Sequence, residues 1–340
     1  MYSLFRPILF RLDPETAHHL TLKMVRLAGI LLPARWLLQA MYTTPEKPVE
    51  VFGLKFKNPV GLAAGYDKDG IAIRGLAGLG FGHLEIGTVT PRPQEGNPKP
   101  RVFRLVEDEA VINRMGFPGA GALQVEGCLL HFTHHPRPTI IGVNLGKNKD
   151  TPLEEAANDY VSLVKTFSTL ADYLAINISS PNTIGLRRLQ GRNMLEALLG
   201  AIAKERQEIS LRGGRRTPIL VKLAPDLSED ELDDASDVIL HSGMDGVIAT
   251  NTTLGREGLR SDQQSETGGL SGSPLRVRSE EVLRRVLKRL DGRVPVISAG
   301  GIMGPEDAKR RLDMGAALVQ VYTGLVYAGP RLVQKIIRAV

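Results

Sequence analysis

Eight short, largely apolar runs, each followed by an amphipathic stretch, constrain this chain more than anything else in it. They fall at 60–64, 83–88, 140–145, 173–178, 219–223, 246–250, 294–298 and 318–322. Runs that stay apolar at successive positions read as strands buried on both faces, the habit of parallel sheets. The stretches between them carry helix signals: at 228–242, Ser228 stands at an N-cap with Glu231 at capping-box spacing. Strand and helix alternating eight times predict an α/β fold, a (β/α)8 TIM barrel. A doubly wound sheet is the alternative, but no Gly-x-Gly-x-x-Gly follows the first strand.

In such a barrel the chemistry gathers where the strands end. Those ends carry Gly65-Tyr66-Asp67-Lys68, Thr88, Asn144, the polar series from Asn177 to Asn182, Lys222, Thr250-Asn251-Thr252, Gly300-Gly301-Ile302 and Tyr322-Thr323-Gly324. One amide or lysine on a loop is usually just solvated; polar or glycine ends on all eight strands are harder to dismiss. Glycines after strand seven and Thr-Gly after strand eight suit a phosphate cradle of backbone N–H groups, although plain glycine turns read the same way. No His pair, carboxylate cluster or Ser-His-Asp set occurs among these ends, which argues against metal hydrolysis and predicts no metal site. Amides, hydroxyls and two lysines suit a flat, anionic heterocycle. Flavin mononucleotide (FMN) meets that description, with Lys222 able to stabilise an anionic reduced ring.

Residues 1–45 differ from the barrel region, 46–340. Asp13-Pro14-Glu15 is a helix start, and Leu20, Met24, Leu27 and Leu31 make an apolar stripe at helical spacing. Pro33 opens a second helix carrying Trp36 and Leu37, and Leu4, Phe5, Ile8 and Leu9 form a further apolar patch. Five basic residues outnumber Asp13 and Glu15 there. Two readings stand level: a helical cap on the barrel, or helices lying in a membrane interface. No run of about 20 apolar residues exists to span a bilayer. A net charge of +6 is scattered rather than gathered into a basic, aromatic-interleaved tract, so nucleic acid is not expected. The single cysteine, Cys128, excludes an intrachain disulfide.

Several segments carry a family resemblance: Asn58-Pro-Val-Gly-Leu-Ala-Ala-Gly, Asp67-Lys-Asp-Gly, Glu85-Ile-Gly-Thr-Val-Thr-Pro-Arg-Pro, Asn113-Arg-Met-Gly-Phe and Gly146-Lys-Asn-Lys. Asn177-Ile-Ser-Ser-Pro-Asn, Val221-Lys-Leu-Ala-Pro-Asp, Thr250-Asn-Thr-Thr, Thr267-Gly-Gly-Leu-Ser-Gly and Val321-Tyr-Thr-Gly continue it. The chain resembles the dihydroorotate dehydrogenases of the membrane-associated, quinone-using class (class 2) along essentially its whole length. The resemblance implies oxidation of (S)-dihydroorotate to orotate by FMN in pyrimidine biosynthesis, with a respiratory quinone as final acceptor. It implies Ser180 as the base that takes the C5 proton while a hydride leaves C6. Lys68, Asn113, Arg114, Met115, Gly116, Phe117, Asn177, Asn182, Asn251 and Thr252 would line the substrate. FMN would meet Ala64, Gly65, Tyr66, Asp67, Lys68, Thr88, Asn144, Asn177, Lys222, Thr250, Gly272, Gly301, Tyr322 and Thr323.

The same resemblance gives the N-terminal helices a use, as a quinone entrance with His18 and Arg104 beside it. It implies a monomer held peripherally on the cytoplasmic side of the inner membrane. Deleting residues 1–42 should then spare flavin reduction and cripple reoxidation by quinone. The family's soluble class uses a cysteine base, whereas Cys128 falls in the helix expected after strand two and reads as core filler. Two long loops need a reason: 91–118 carries Asn113 to Phe117 toward the rim, and 183–191, with Gly185 and Gly191 as hinges, is a candidate lid. The competing reading is a non-redox phosphate-binding barrel of aldolase or isomerase type.

Overall fold

A computed structural model describes residues 2–132 and 137–340. The chain opens with three helices, α1 (Tyr2–Arg11), α2 (Pro14–Ile30) and α3 (Leu32–Met41). Asp13 caps α2 by accepting a hydrogen bond from the Thr16 N–H, and Pro14 fills the first position, where no N–H is needed. A hairpin follows, β1 (Val49–Val51) and β2 (Leu54–Phe56), turning at Phe52 and Gly53, both at positive φ.

The barrel begins at β3 (Val60–Leu62), continues through α4 (Ile73–Ala77) and β4 (His83–Val89), and is then interrupted by β5 (Val102–Leu105) and β6 (Ala110–Asn113). It resumes with α5 (Ala122–Leu130), β7 (Ile140–Leu145), α6 (Ala156–Phe167), β8 (Tyr173–Asn177), α7 (Arg192–Leu211), β9 (Ile219–Leu223), α8 (Glu229–His241) and β10 (Gly246–Ala249). After β11 (Gly269–Gly272) come α9 (Arg276–Leu290), β12 (Val296–Ala299), α10 (Pro305–Asp313), β13 (Leu318–Val321), α11 (Thr323–Ala328) and α12 (Arg331–Ala339). Strands β3, β4, β7, β8, β9, β10, β12 and β13 close into one parallel barrel, as the eight apolar runs predict. The capping box on α8 forms in both directions between Ser228 and Glu231.

Large and small residues alternate inside the barrel. A Cβ on Gly61 would overlap the His83 ring, and one on Gly142 would overlap the Tyr173 ring, so glycine in these strands makes room for the aromatics. The hairpin closes the N-terminal mouth with Phe52 against Gly246 and Phe56 edge-on to His83.

Segment 91–118 is not the loop the sequence suggests. β5 and β6 pair antiparallel, and β11 joins β6 to make a separate three-stranded sheet. Its pairing partners lie some 160 residues apart, as in the Ser271–Val111 hydrogen bond. Segment 183–191 is likewise tethered rather than free. Leu186, Leu189 and Gln190 are buried, Arg187 binds the Ser179 and Thr252 carbonyls, and the exposed residues are Ile184, at 89%, Arg188 and Gly191. Gly185 has φ +72°, but Gly191 is ordinary extended backbone, so one glycine hinge remains. Cys128 lies on α5 as expected, half-buried instead of in the core, and burial raises its thiol pKa.

Candidate active site

One cavity opens at the C-terminal ends of the barrel strands, under the β5–β6–β11 sheet and against α2. Most of the expected side chains meet there. Its wall includes Ala64, Gly65, Lys68, Thr88, Asn113, Met115, Gly116, Phe117, Asn177, Ser180, Asn182 and Lys222. Thr250, Asn251, Thr252, Gly272, Gly301, Tyr322, Thr323 and, at the α2 end, His18 complete the expected set. Tyr66, Asp67, Arg104, Arg114 and Asn144 lie outside the lining. Sequence reasoning missed Pro14, Glu15, Val102, Val111, Ser271, Met303 and Gln320, which also line it. Most of these belong to the N-terminal helix and the three-stranded sheet, whose positions depend on long-range packing.

The floor is a closed polar network. Asn177 donates to Thr88 Oγ1 and to Asn144 Oδ1, each at 2.9 Å, and Thr88 donates to Asn144 at 2.6 Å. Asn144 in turn donates to Glu85 Oε1 at 2.8 Å, so it supports the lining from behind. Glu85 is 1% exposed and also accepts from Tyr173 at 3.1 Å and Gln320 at 2.8 Å, with Lys222 Nζ at 3.4 Å. A buried carboxylate is tolerable only when so satisfied. Burial and this carboxylate keep the Tyr173 phenol protonated, hence a donor. The Gln320 Oε1 is buried without a protein partner, on a residue of the cavity wall.

Ser180 sits just past β8, 6% exposed, its Oγ accepting from the Asn182 N–H at 3.2 Å. Asn182 reaches across to Asn113 Oδ1 at 3.1 Å, and Asn251 Nδ2 donates to Ser179 Oγ at 2.9 Å, so each of these amides is held by a neighbour. Among the described residues the lining contains one histidine, His18. Arg114 turns away, paired with Glu266 at 2.5 Å and stacked over Phe103.

Toward α2 the wall becomes aromatic. His18 packs edge-on to Tyr66 at 5.0 Å, and Tyr66 on Tyr322 at 5.7 Å. Burial, then the Lys68 charge, pushes His18 down to about 3, so the imidazole is neutral. Burial likewise lowers Lys68 to about 8 against the pull of Asp69 and Glu15; its Nζ donates to the Gly65 carbonyl at 2.9 Å. Asp67 accepts from the Ile71 and Ala72 N–H groups, and burial raises it to about 6. Arg104 stacks over Phe10 at 4.3 Å and donates to its carbonyl, tying β5 to α1. Burial would raise the Glu15 carboxyl, yet the hydrogen bonds and charge of Arg101 hold it below its usual range.

Across the barrel from β8 lies the glycine wall. Gly272, Gly300 and Gly301 have φ of +99°, +98° and +72°. A Cβ on Gly272 would overlap the Glu109 carbonyl, and one on Gly301 would overlap Arg276. Thr323 begins α11 beside them and donates to Ser271 at 2.8 Å. Behind the wall the fully buried Arg311 binds the Gly300 and Arg276 carbonyls and Ser279 Oγ, bracing both loops.

A family model described as dihydroorotate dehydrogenase matches residues 47–340. The dihydroorotate dehydrogenase (quinone) of Halorhodospira halophila is 49% identical over 340 residues, covering 100% of this chain and 97% of its own. That of Methylococcus capsulatus is 48% identical over 343 residues, covering 99% and 98%. A solved structure of DHODH in complex with ferulenol from Eimeria tenella superposes with a TM-score of 0.85 at 40% identity, covering 96% of this chain and 90% of that one. A ligand-free structure from the same organism gives 0.81 at 41% identity, covering 92% and 93%. The chain belongs to the dihydroorotate dehydrogenase family.

Proposed function

We propose that this chain oxidises (S)-dihydroorotate to orotate, with FMN as hydride acceptor and a respiratory quinone as final electron acceptor, in pyrimidine biosynthesis. The observation that carries the reading is that one cavity holds Ser180 with Asn113, Asn177, Asn182 and Asn251, the glycine wall across the barrel from β8, and His18 at the α2 end. The residues fit a flavin mononucleotide. Gly272, Gly300 and Gly301 bring bare backbone to the cavity wall near the start of α11, which suits a phosphate, and the Gln320 Oε1 is a buried acceptor without a protein partner. When bound, FMN supplies the two-electron acceptor.

The chain's own residues do the rest. Ser180 Oγ takes the C5 proton as its own hydroxyl proton passes to a relayed water, and Lys68 faces the substrate carboxylate. Asn113, Asn177, Asn182 and Asn251 match the N–H and C=O groups of the ring, with Thr252, Met115, Gly116 and Phe117 enclosing it. Lys222 stabilises negative charge on the reduced cofactor. His18 and Arg104 mark the quinone side. Segment 1–45 is the membrane and quinone-access unit, and 46–340 the catalytic barrel. The protein works as a monomer bound peripherally at the cytoplasmic face of the inner membrane; among the described residues no helix is long and apolar enough to cross it.

The test is a visible spectrum of purified protein before and after anaerobic dihydroorotate. A flavin band that bleaches, then returns with a quinone but not with fumarate or NAD, is the expected result. A flavin that stays oxidised would remove the substrate. A protein colourless even after FMN is restored would point to a non-redox phosphate-binding barrel, which family membership disfavours.

A further inference from the structure

We propose that Glu15 and Arg101 are positioning residues of the substrate site: the N-terminal helix holds the 113–117 loop in shape through this ion pair. The inference rests on the substrate reading above. Glu15, in the first turn of α2, is 4% exposed, and Arg101, just before β5, is 8% exposed. Arg101 grips the carboxylate through Nη2 at 2.7 Å and Nε at 3.2 Å. Its other nitrogen, Nη1, donates to the Glu95 and Asn97 carbonyls at 2.6 and 2.9 Å. The guanidinium therefore joins α2 to the 95–97 turn.

That turn is in contact with the loop. The Asn97 side chain donates to the Arg114 carbonyl at 2.9 Å and to the Asn182 carbonyl at 3.2 Å, and its own N–H donates to the Met115 carbonyl at 2.9 Å. The Arg101 carbonyl accepts from the Arg114 N–H at 2.9 Å. The loop needs such support. Phe117 is held at φ +54°, left-handed backbone that a large side chain avoids, and Gly116 precedes it at +70°. Strained backbone persists only where its surroundings over-determine it. Here one support runs from an N-terminal carboxylate through Asn97 to Arg114, Met115 and Gly116, while Gln94 holds the Gly116 and Phe117 carbonyls. A consequence is that deleting residues 1–42 also removes one end of this tether, so truncation would not separate the two half-reactions.

The experiment is a double-mutant cycle on the flavin-loaded enzyme with Glu15→Gln, Asn97→Ala and their combination. Orotate affinity is read from perturbation of the flavin spectrum, and amide hydrogen exchange is read over 113–117. Each single variant is expected to raise the orotate Kd about tenfold, the pair by little more, because both cut one chain of contacts. The KM for dihydroorotate should rise with it, by more than kcat falls, and exchange in the loop should quicken in both variants. Fully additive effects would overturn the proposal, leaving Glu15 to act separately through the charge on nearby Lys68. An unchanged Kd with unchanged exchange in Glu15→Gln would overturn it too. Should Glu15→Gln not retain flavin, Arg101→Lys keeps the charge without the fork and is judged by the same two readouts. If the parent enzyme binds no orotate, the substrate reading fails, and exchange in the loop still decides the tether.

Discussion

At the residue scale, Lys68 makes the site pH-sensitive. Its ammonium is pushed down to about 8 by burial, so the free enzyme loses this positive charge within a unit of neutrality on the basic side. An anionic ligand binds the protonated form, so orotate Kd should be flat below pH 7 and weaken as pH rises through about 8. Lys68→Met should bind weakly with that slope gone; a slope that survives the substitution would place the titration elsewhere. Glu85 offers a second test. It supports Lys222 from below, and Glu85→Gln removes a negative charge next to the lysine proposed to face the reduced ring. The flavin midpoint potential should rise, by about 30 mV for each tenfold preference gained by the reduced form. A lower potential would refute this arrangement. Lys222 and Asn177 were legible in the sequence because strand ends point to the rim. Glu85 was not, since a charge inside a strand gives no sign that three donors from β7, β8 and β13 will converge on it.

At the scale of elements, the eight barrel strands and the α8 capping box were readable because their signals are local: apolar runs and a fixed Ser–Glu spacing. The β5–β6–β11 sheet was not, because each strand is four residues long and one partner comes from a segment about 150 positions away. Its consequences for the site are large, as Val102, Val111, Asn113, Ser271 and Gly272 reach the cavity only through it. Gly272 ends β11 at φ +99°, where a Cβ would meet the Glu109 carbonyl. Gly272→Ala should therefore lower stability by about 1–3 kcal/mol and reduce the flavin retained on purification. Melting temperature and the ratio of flavin to protein absorbance check both. Retention equal to the parent would show that the glycine serves the sheet alone.

For the whole molecule, α2 answers to two environments at once. On one side Gly29 packs so closely on Gly75 of α4 that a Cβ on either would clash, and Ala17 and Leu22 are buried. The expected stripe of Leu20, Met24, Leu27 and Leu31 faces the other way and is exposed, as are Leu4, Phe5 and Ile8 on α1 and Leu32, Trp36 and Leu37 on α3. Cap and exposed apolar surface are thus two faces of one unit. Exposed apolar side chains on this scale, with Arg6, Lys23, Arg26 and Arg35 among them, suit shallow insertion among anionic headgroups. Leu27 is 56% exposed and Trp36 63%, so replacing both with Glu should leave the fold intact. Each buried apolar side chain contributes about 1.5–3 kcal/mol, so the double variant should partition onto vesicles of mixed neutral and anionic lipid at least about tenfold less. Neither side chain lines the cavity, so anaerobic bleaching by dihydroorotate should continue at the parent rate while turnover with a vesicle-borne quinone drops. Vesicle binding equal to the parent would assign the apolar face to some other contact. Loss of bleaching would mean that the membrane face and the substrate loop are coupled beyond the Glu15–Arg101 pair.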